Sequence, residues 1–206
     1  MHRFLLFFVL SALSHPLFAA PVVLTSIQPL QLIASEILGE QGTSEVLLPP
    51  GASPHSFTLR PSDSRRFAAA DAFFWIGPDM ENFLVKLAAQ RPGQSHAVQQ
   101  LPGLELLYYN GGDAAGHAAL QDNEQSAALR QHDHHHQPGG LDAHLWLSSL
   151  NARIIADHMA QEFAQLQPDA AGHYQENLQA FNRKLDLLDQ ELRELLLQVR
   201  KKPFFV

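Results

Sequence analysis

The sequence predicts an α/β fold: an N-terminal lobe with a mainly parallel sheet flanked by helices, followed by one long linker helix. Three observations predict it. Short β-branched and aromatic runs alternate with segments of helical apolar spacing between Val22 and Leu107. A stretch rich in Gly, Ala, Asp, Gln and His, from Asn110 to Leu141, interrupts that alternation without any periodicity. A single apolar stripe at 3–4 spacing then runs from Leu178 to Val199.

The first residues read as a leader rather than as fold. Arg3 supplies a short positive region, Phe4 to Leu13 is apolar and uncharged, and Leu17-Phe18-Ala19-Ala20 follows His15-Pro16. That pattern predicts a cleaved signal peptide over residues 1–19, cut after Ala19. The apolar run is shorter than the roughly 20 residues a membrane span needs. Cleavage would remove Arg3 and no acid, leaving the mature chain slightly more negative.

Val22 to Ile27 reads as a buried strand, and Leu30, Ile33, Ile37 and Leu38 place a helix over Pro29 to Leu38, closed by Gly39. Glu45 to Leu48 reads as the next strand. Pro49-Pro50-Gly51-Ala52-Ser53-Pro54 must be a loop. Arg60-Pro61-Ser62-Asp63 opens a helix, with Ser62 or Asp63 as the expected cap. Ala72 to Ile76 reads as a strand ended by Gly77-Pro78, and Met80 to Gln90 as a helix. His96 to Val98 and Leu104 to Leu107 read as two further strands.

Order resumes at Asp142. Ser148 or Ser149 caps a helix running to about Leu166, with Leu150, Ile154, Ile155, Met159 and Phe163 inward. Pro168-Asp169 starts the last helix. From His173 to Arg200 it would be about 42 Å long at 1.5 Å per residue, longer than one small lobe requires. Lys201-Lys202 suit its C-terminus, Pro203 stops it, and Phe204-Phe205-Val206 reads as the start of a new strand. The expected organisation is therefore a lobe over 20–167, with a mobile His-rich loop at 110–141, a linker helix over 168–202, and a second α/β lobe missing from this chain beyond 203–206. An immediate stop codon after Val206 in the coding DNA would overturn that last expectation.

Composition narrows function. Of the 206 residues, 14 are Lys or Arg and 21 Asp or Glu, a net charge of −7 that disfavours nucleic acid as a partner. No Cys is present, which excludes disulfides, thiolate zinc sites, Cys nucleophiles and a lipid-anchored Cys after the leader. The expected product is a secreted, periplasmic protein without a lipid anchor. Twelve His stand out against that background, since imidazole is the strongest transition-metal ligand left.

His132, His134, His135 and His136, with Asp133 among them, form a tract that suits Zn²⁺, Ni²⁺ or Cu²⁺, and His117 is an outlying member. His55 follows the Pro-rich loop directly after a strand, where open α/β sheets bind ligands. His144 lies in Asp142-Ala143-His144-Leu145-Trp146-Leu147, where Asp142 or a backbone carbonyl can hold its second ring nitrogen. A surface turn for His55 and a satisfied core imidazole for His144 are the competing readings. His96, His158 and His173 are read as standing alone.

Leu48-Pro49-Pro50-Gly51-Ala52-Ser53-Pro54-His55 with Leu59-Arg60-Pro61-Ser62-Asp63 resembles the first metal-ligand segment of the metal-specific periplasmic binding proteins of ABC importers. Trp75-Ile76-Gly77-Pro78-Asp79-Met80-Glu81 resembles the next segment. Asp142-Ala143-His144-Leu145-Trp146-Leu147-Ser148 resembles the second ligand segment in its zinc-type form, preceded by a His/Asp loop as in zinc members. The resemblance covers Val22 to Val206. It implies two α/β lobes joined by a rigid helix with the metal between them, and His55 and His144 as first-lobe ligands. A third His and a further carboxylate would lie in the second lobe, and Pro54 stands where some zinc members carry an acid.

The function this implies is zinc capture in the periplasm and delivery to a membrane permease driven by a cytoplasmic ATPase, with Zn²⁺ as cargo, no catalysis and a monomeric carrier. Alternatives are a carrier of Mn²⁺ or another divalent metal, and a metal buffer or adhesin acting through the His loop alone. A zinc hydrolase is disfavoured, because neither His-Glu-x-x-His nor Gly-x-Ser-x-Gly occurs.

Overall fold

In a computed structural model, the structure describes residues 20–54, 57–109, 139–197, 199, 200 and 202. Four parallel strands form one sheet: β1 (Val22–Thr25), β2 (Thr43–Val46), β3 (Ala72–Trp75) and β4 (Ser95–Ala97), in the order β2-β1-β3-β4. The register places Leu24 beside Glu45 and Phe73, and Phe74 beside His96. β1 and β3 are central and almost wholly buried, as parallel strands covered on both faces must be.

Successive residues of a strand face opposite sides. Phe73 meets Phe67 of α2 (Pro61–Ala69) edge-on at 5.2 Å, while Phe74 meets Phe163 of α4 (Ser149–Leu166) at 5.9 Å. The sheet is therefore sandwiched between helices. α1 (Gln28–Leu38) and α5 (Ala171–Leu197) pack with α4. The core joins Leu24, Leu30, Ile37, Phe74, Met159, Phe163 and Tyr174.

Local chemistry sets the boundaries. Pro29 sits in the first turn of α1, and Gly39 closes it at φ +55°, where a Cβ would also strike Nδ2 of Asn177. That same Asn177 amide donates to Ile37 O, tying α5 to the end of α1. The N-terminus of α2 is built differently from the expectation. Arg60 is the capping position, and its backbone N–H donates to Asp63 Oδ2 at 2.8 Å. Ser148 caps α4, its hydroxyl accepting from Asn151 N.

Other expectations are corrected. Met80 to Gln90 is not one helix: a 3-10 turn at Asn82–Leu84 leads into the single α-turn α3 (Val85–Ala88). The Glu81 carboxylate folds back onto the Ile76 and Gly77 N–H groups, so the chain must turn there first. Leu104 to Leu107 joins no sheet among the described residues. Asn151 of α4 bonds both the N–H and the C=O of Glu105, taking the groups a neighbouring strand would use. Leu150 faces solvent, and Ala152, Ile155, Ala156, Met159 and Phe163 form the buried face of α4.

α5 ends at Leu197 rather than Arg200. Only its first turns are covered: Tyr174 and Leu178 are buried and Phe181 and Leu185 partly so, whereas Leu188, Leu192, Leu195 and Val199 are exposed. No helix among the described residues is long and apolar enough to cross a membrane. The predicted leader over 1–19, most of the His-rich stretch, Lys201 and the Phe204-Phe205-Val206 strand start lie outside the described residues.

Candidate metal centre

The segment bearing His144 is built by hydrogen bonds on both sides. Upstream, Tyr109 N donates to Gly140 O, Gly139 N donates to Tyr109 O, and Tyr108 bridges Leu141 in antiparallel fashion. This neck joins the two ends of the 110–138 segment, and Asp142 follows it directly, its N–H donating to Leu107 O. Downstream, Leu145–Leu147 forms a 3-10 turn that feeds into the Ser148 cap of α4.

Within that frame Asp142 grips His144 twice. Its Oδ1 accepts from the His144 backbone N–H at 3.1 Å and lies 2.7 Å from the ring Nδ1. Burial opposes the charge on Asp142, but the backbone and ring contacts of His144, with Tyr109 assisting, outweigh it and hold the carboxyl below its usual range. An ionised Asp142 fixes the ring proton on Nδ1 and leaves Nε2 with a free lone pair. The Trp146 ring meets the imidazole at 5.4 Å and 61°.

Trp146 also connects this segment to the Pro-rich loop. It lines a cavity of about 300 Å³ together with Ile27 and Pro29 beyond β1 and Pro49, Pro50 and Pro54 beyond β2. The loop leading into His55 and the segment carrying His144 therefore meet at the carboxyl ends of the strands, where open parallel sheets bind ligands. His55 itself lies outside the described residues, as do His117, His132, Asp133, His134, His135 and His136.

Glu81 stands at the same end of the sheet, after β3. It is fully buried, and its Oε2 accepts from Ile76 N at 2.7 Å. Burial pushes its carboxyl up to about 7, although these backbone donors favour the charged form. Gly77 adopts φ +140°, and a side chain there would collide with Gln99. Glu81 thus braces the loop after β3.

One further group was not read from the sequence. His96 of β4 and His158 of α4 do not stand alone: His158 Nε2 lies 3.2 Å from His96 Nδ1, and Glu162 is within 4 Å of both rings. Burial lowers the pKa of both imidazoles, against the opposing pull of Glu162. The spacing His158-x-x-x-Glu162 was a usable signal, since i and i+4 share a helix face. The pairing with His96 depends on the tertiary fold. His173, beside Glu176 on α5, is exposed as expected.

The sequence profile of the ZnuA family, zinc-uptake complex component A periplasmic, matches residues 23–206. The chain belongs to the ZnuA family. The high-affinity zinc uptake system protein ZnuA of Yersinia pestis is 34% identical over 198 residues, covering 91% of this chain and 60% of that protein. The ZnuA of Brucella abortus is 32% identical over 214 residues, covering 89% and 60%. A crystal structure of a ZnuA deletion mutant with zinc bound aligns at a TM-score of 0.67 and 26% identity, over 86% of this chain and 59% of that one. The chain thus spans about 60% of the length of these ZnuA relatives.

Proposed function

We propose that this chain is the first lobe and linker helix of a periplasmic protein that captures Zn²⁺ and delivers it to the permease of an ATP-driven importer. The observation that carries the reading is the Asp142–His144 clamp, which aims one imidazole lone pair away from the carboxylate beside the loop that leads to His55. Family membership supports the choice of cargo, because longer relatives that align along about nine-tenths of this chain bear the name of zinc uptake proteins.

In this reading His55 and His144 are the first-lobe ligands. The remaining ligands, a third His and an oxygen donor, come from a second lobe after residue 206. Three imidazoles and one oxygen make a closed tetrahedral set suited to zinc, whereas Mn²⁺ favours more carboxylates. Two imidazoles alone leave two positions to water, so one lobe binds more weakly than two. The linker is the helix within 168–202, and residues 1–19 are the leader of a carrier that acts as a monomer. Cargo transfer exchanges metal–ligand bonds and breaks no covalent bond, so no catalytic residue is assigned.

The His-rich residues His117, Asp133 and His132 to His136 lie on the segment that leaves and returns through the neck beside Asp142. They serve as auxiliary, lower-affinity ligands that raise the local zinc supply near His144. Calorimetry on the whole protein tests these roles. His55→Ala and His144→Ala each should lose the tight zinc phase, and deletion of 117–136 should lower stoichiometry more than affinity. Unchanged affinity in both point variants would overturn the assignment.

A further inference from the structure

His96, His158 and Glu162 are the described residues that come together as a possible metal-holding trio, each presenting one ligand atom within 4.8 Å of the others. Their placement differs from that of His144. His96 lies on the edge strand β4, and His158 and Glu162 lie one turn apart on the body of α4. His158 is about 13 Å along that helix from Ser149 at 1.5 Å per residue.

The nitrogen spacing matches metal coordination. Two nitrogens on a tetrahedral zinc, each about 2.05 Å from the ion, stand about 3.3 Å apart. His96 Nδ1 and His158 Nε2 are 3.2 Å apart without any ion. Glu162 Oε2 is 3.8 Å from His96 Nε2, and its Oε1 is 4.0 Å from His158 Nδ1. These carboxylate contacts are to the other nitrogen of each ring, so a shared ion needs a turn of Glu162 or of an imidazole about its own axis; one ligand atom from each of the three residues already lies within 4.8 Å of the others.

The rings are held in place before any metal arrives. His96 stacks on Phe74 at 4.7 Å and 19°, and His158 meets the same ring edge-on at 6.0 Å. Phe74 is wholly buried in the sheet, so it fixes both imidazoles from below. Such prior ordering lowers the entropy cost of binding. The side chains stay reachable from solvent: His96 is 15% exposed, His158 24% and Glu162 23%.

We propose that His96, His158 and Glu162 form a second divalent-metal site, a His₂Glu set that takes Zn²⁺ with water on its open position. Two neutral imidazoles and one carboxylate suit a borderline ion better than Mg²⁺ or Ca²⁺, which prefer all-oxygen sets. The site belongs to the lobe alone and needs no ligand from elsewhere. It stands whether or not His55 and His144 bind cargo.

The test begins with the full native chain and zinc alone. Imidazole ¹⁵N spectra should show the ring nitrogens of His96 and His158 shifting with added zinc, and unshifted resonances at saturation would overturn the site. Calorimetry then uses the full chain carrying His55→Ala and His144→Ala, with His117, His132, His134, His135 and His136 each replaced by Asn. One equivalent of zinc should still bind, with affinity at least tenfold lower in Glu162→Gln and lost in His158→Asn. No zinc uptake by that background chain, or uptake equal in both variants, would overturn the proposal.

Discussion

Nδ1 of His144 lies 2.7 Å from Oδ1 of Asp142, and the same oxygen accepts the His144 backbone N–H. One carboxylate oxygen thus sets both the ring's tautomer and its orientation. A residue two positions upstream can do this because an Asp side chain readily accepts the backbone N–H two residues on. The partner group determines which nitrogen is left for a metal.

Removing that partner should weaken metal binding without unfolding the lobe. Asp142→Asn is expected to lower zinc affinity about 10- to 100-fold, the usual effect of losing the group behind a metal-binding His. Zinc titration with a competing chelator checks it, with far-ultraviolet circular dichroism reporting an intact fold. Affinity equal to that of the unmodified protein would mean that Asp142 does not orient a ligand.

Glu81 should make stability depend on pH. Its carboxyl is raised from about 4.5 to about 7 by burial. The folded state therefore favours the protonated acid. Its stabilising contribution is fully present below about pH 4.5 and is lost as pH rises through about 7. The full loss is about 3 kcal/mol. Glu81→Gln keeps an oxygen acceptor for the Ile76 N–H and carries no charge. Urea unfolding between pH 4.5 and 8 should show the variant gaining on the native chain as pH rises, by up to about 3 kcal/mol. Parallel curves would refute this role.

Asn151 joins α4 to the segment that leads into the neck. It is buried, and its side chain satisfies both Glu105 N and Glu105 O, at 2.8 and 2.9 Å. Asn151→Ala leaves both backbone groups without that partner. A loss of about 1–3 kcal/mol is expected for removing two part-buried hydrogen bonds. Chemical denaturation measures it.

The two halves of α5 should respond oppositely to substitution. Leu178 is 3% exposed and belongs to the core, whereas Leu192 is 44% exposed. Leu178→Ala should cost about 2–5 kcal/mol. Leu192→Gln should change the stability of this chain by less than about 0.5 kcal/mol. A large loss in Leu192→Gln, read by thermal unfolding, would show that the distal stripe is already packed.

The central architecture was legible because it rests on strong local signals. Val22 to Ile27 and Ala72 to Ile76 are apolar runs that β1 and β3 bury on both faces. Ser148 announced α4, and the Asp142–His144 contact needed only a spacing of two residues. Where local pattern failed, a distant partner had intervened. Leu104 and Leu106 alternate like a strand, but Asn151 takes the backbone groups of Glu105 between them. Met80 to Gln90 has helical spacing, but a buried Glu81 bends its start. His96 and His158 are 62 positions apart, and no local rule pairs them. The α5 stripe was read correctly as apolar, yet sequence spacing alone does not say how far its cover extends.

The assignment of His144 as a ligand is tested most directly by anomalous scattering at the zinc edge, measured from crystals of the zinc-loaded whole protein. A peak is expected about 2.1 Å from His144 Nε2, on the side of the ring away from Asp142, with His55 as a second nitrogen ligand. A fully zinc-loaded crystal with no anomalous peak at His144 Nε2 would contradict it.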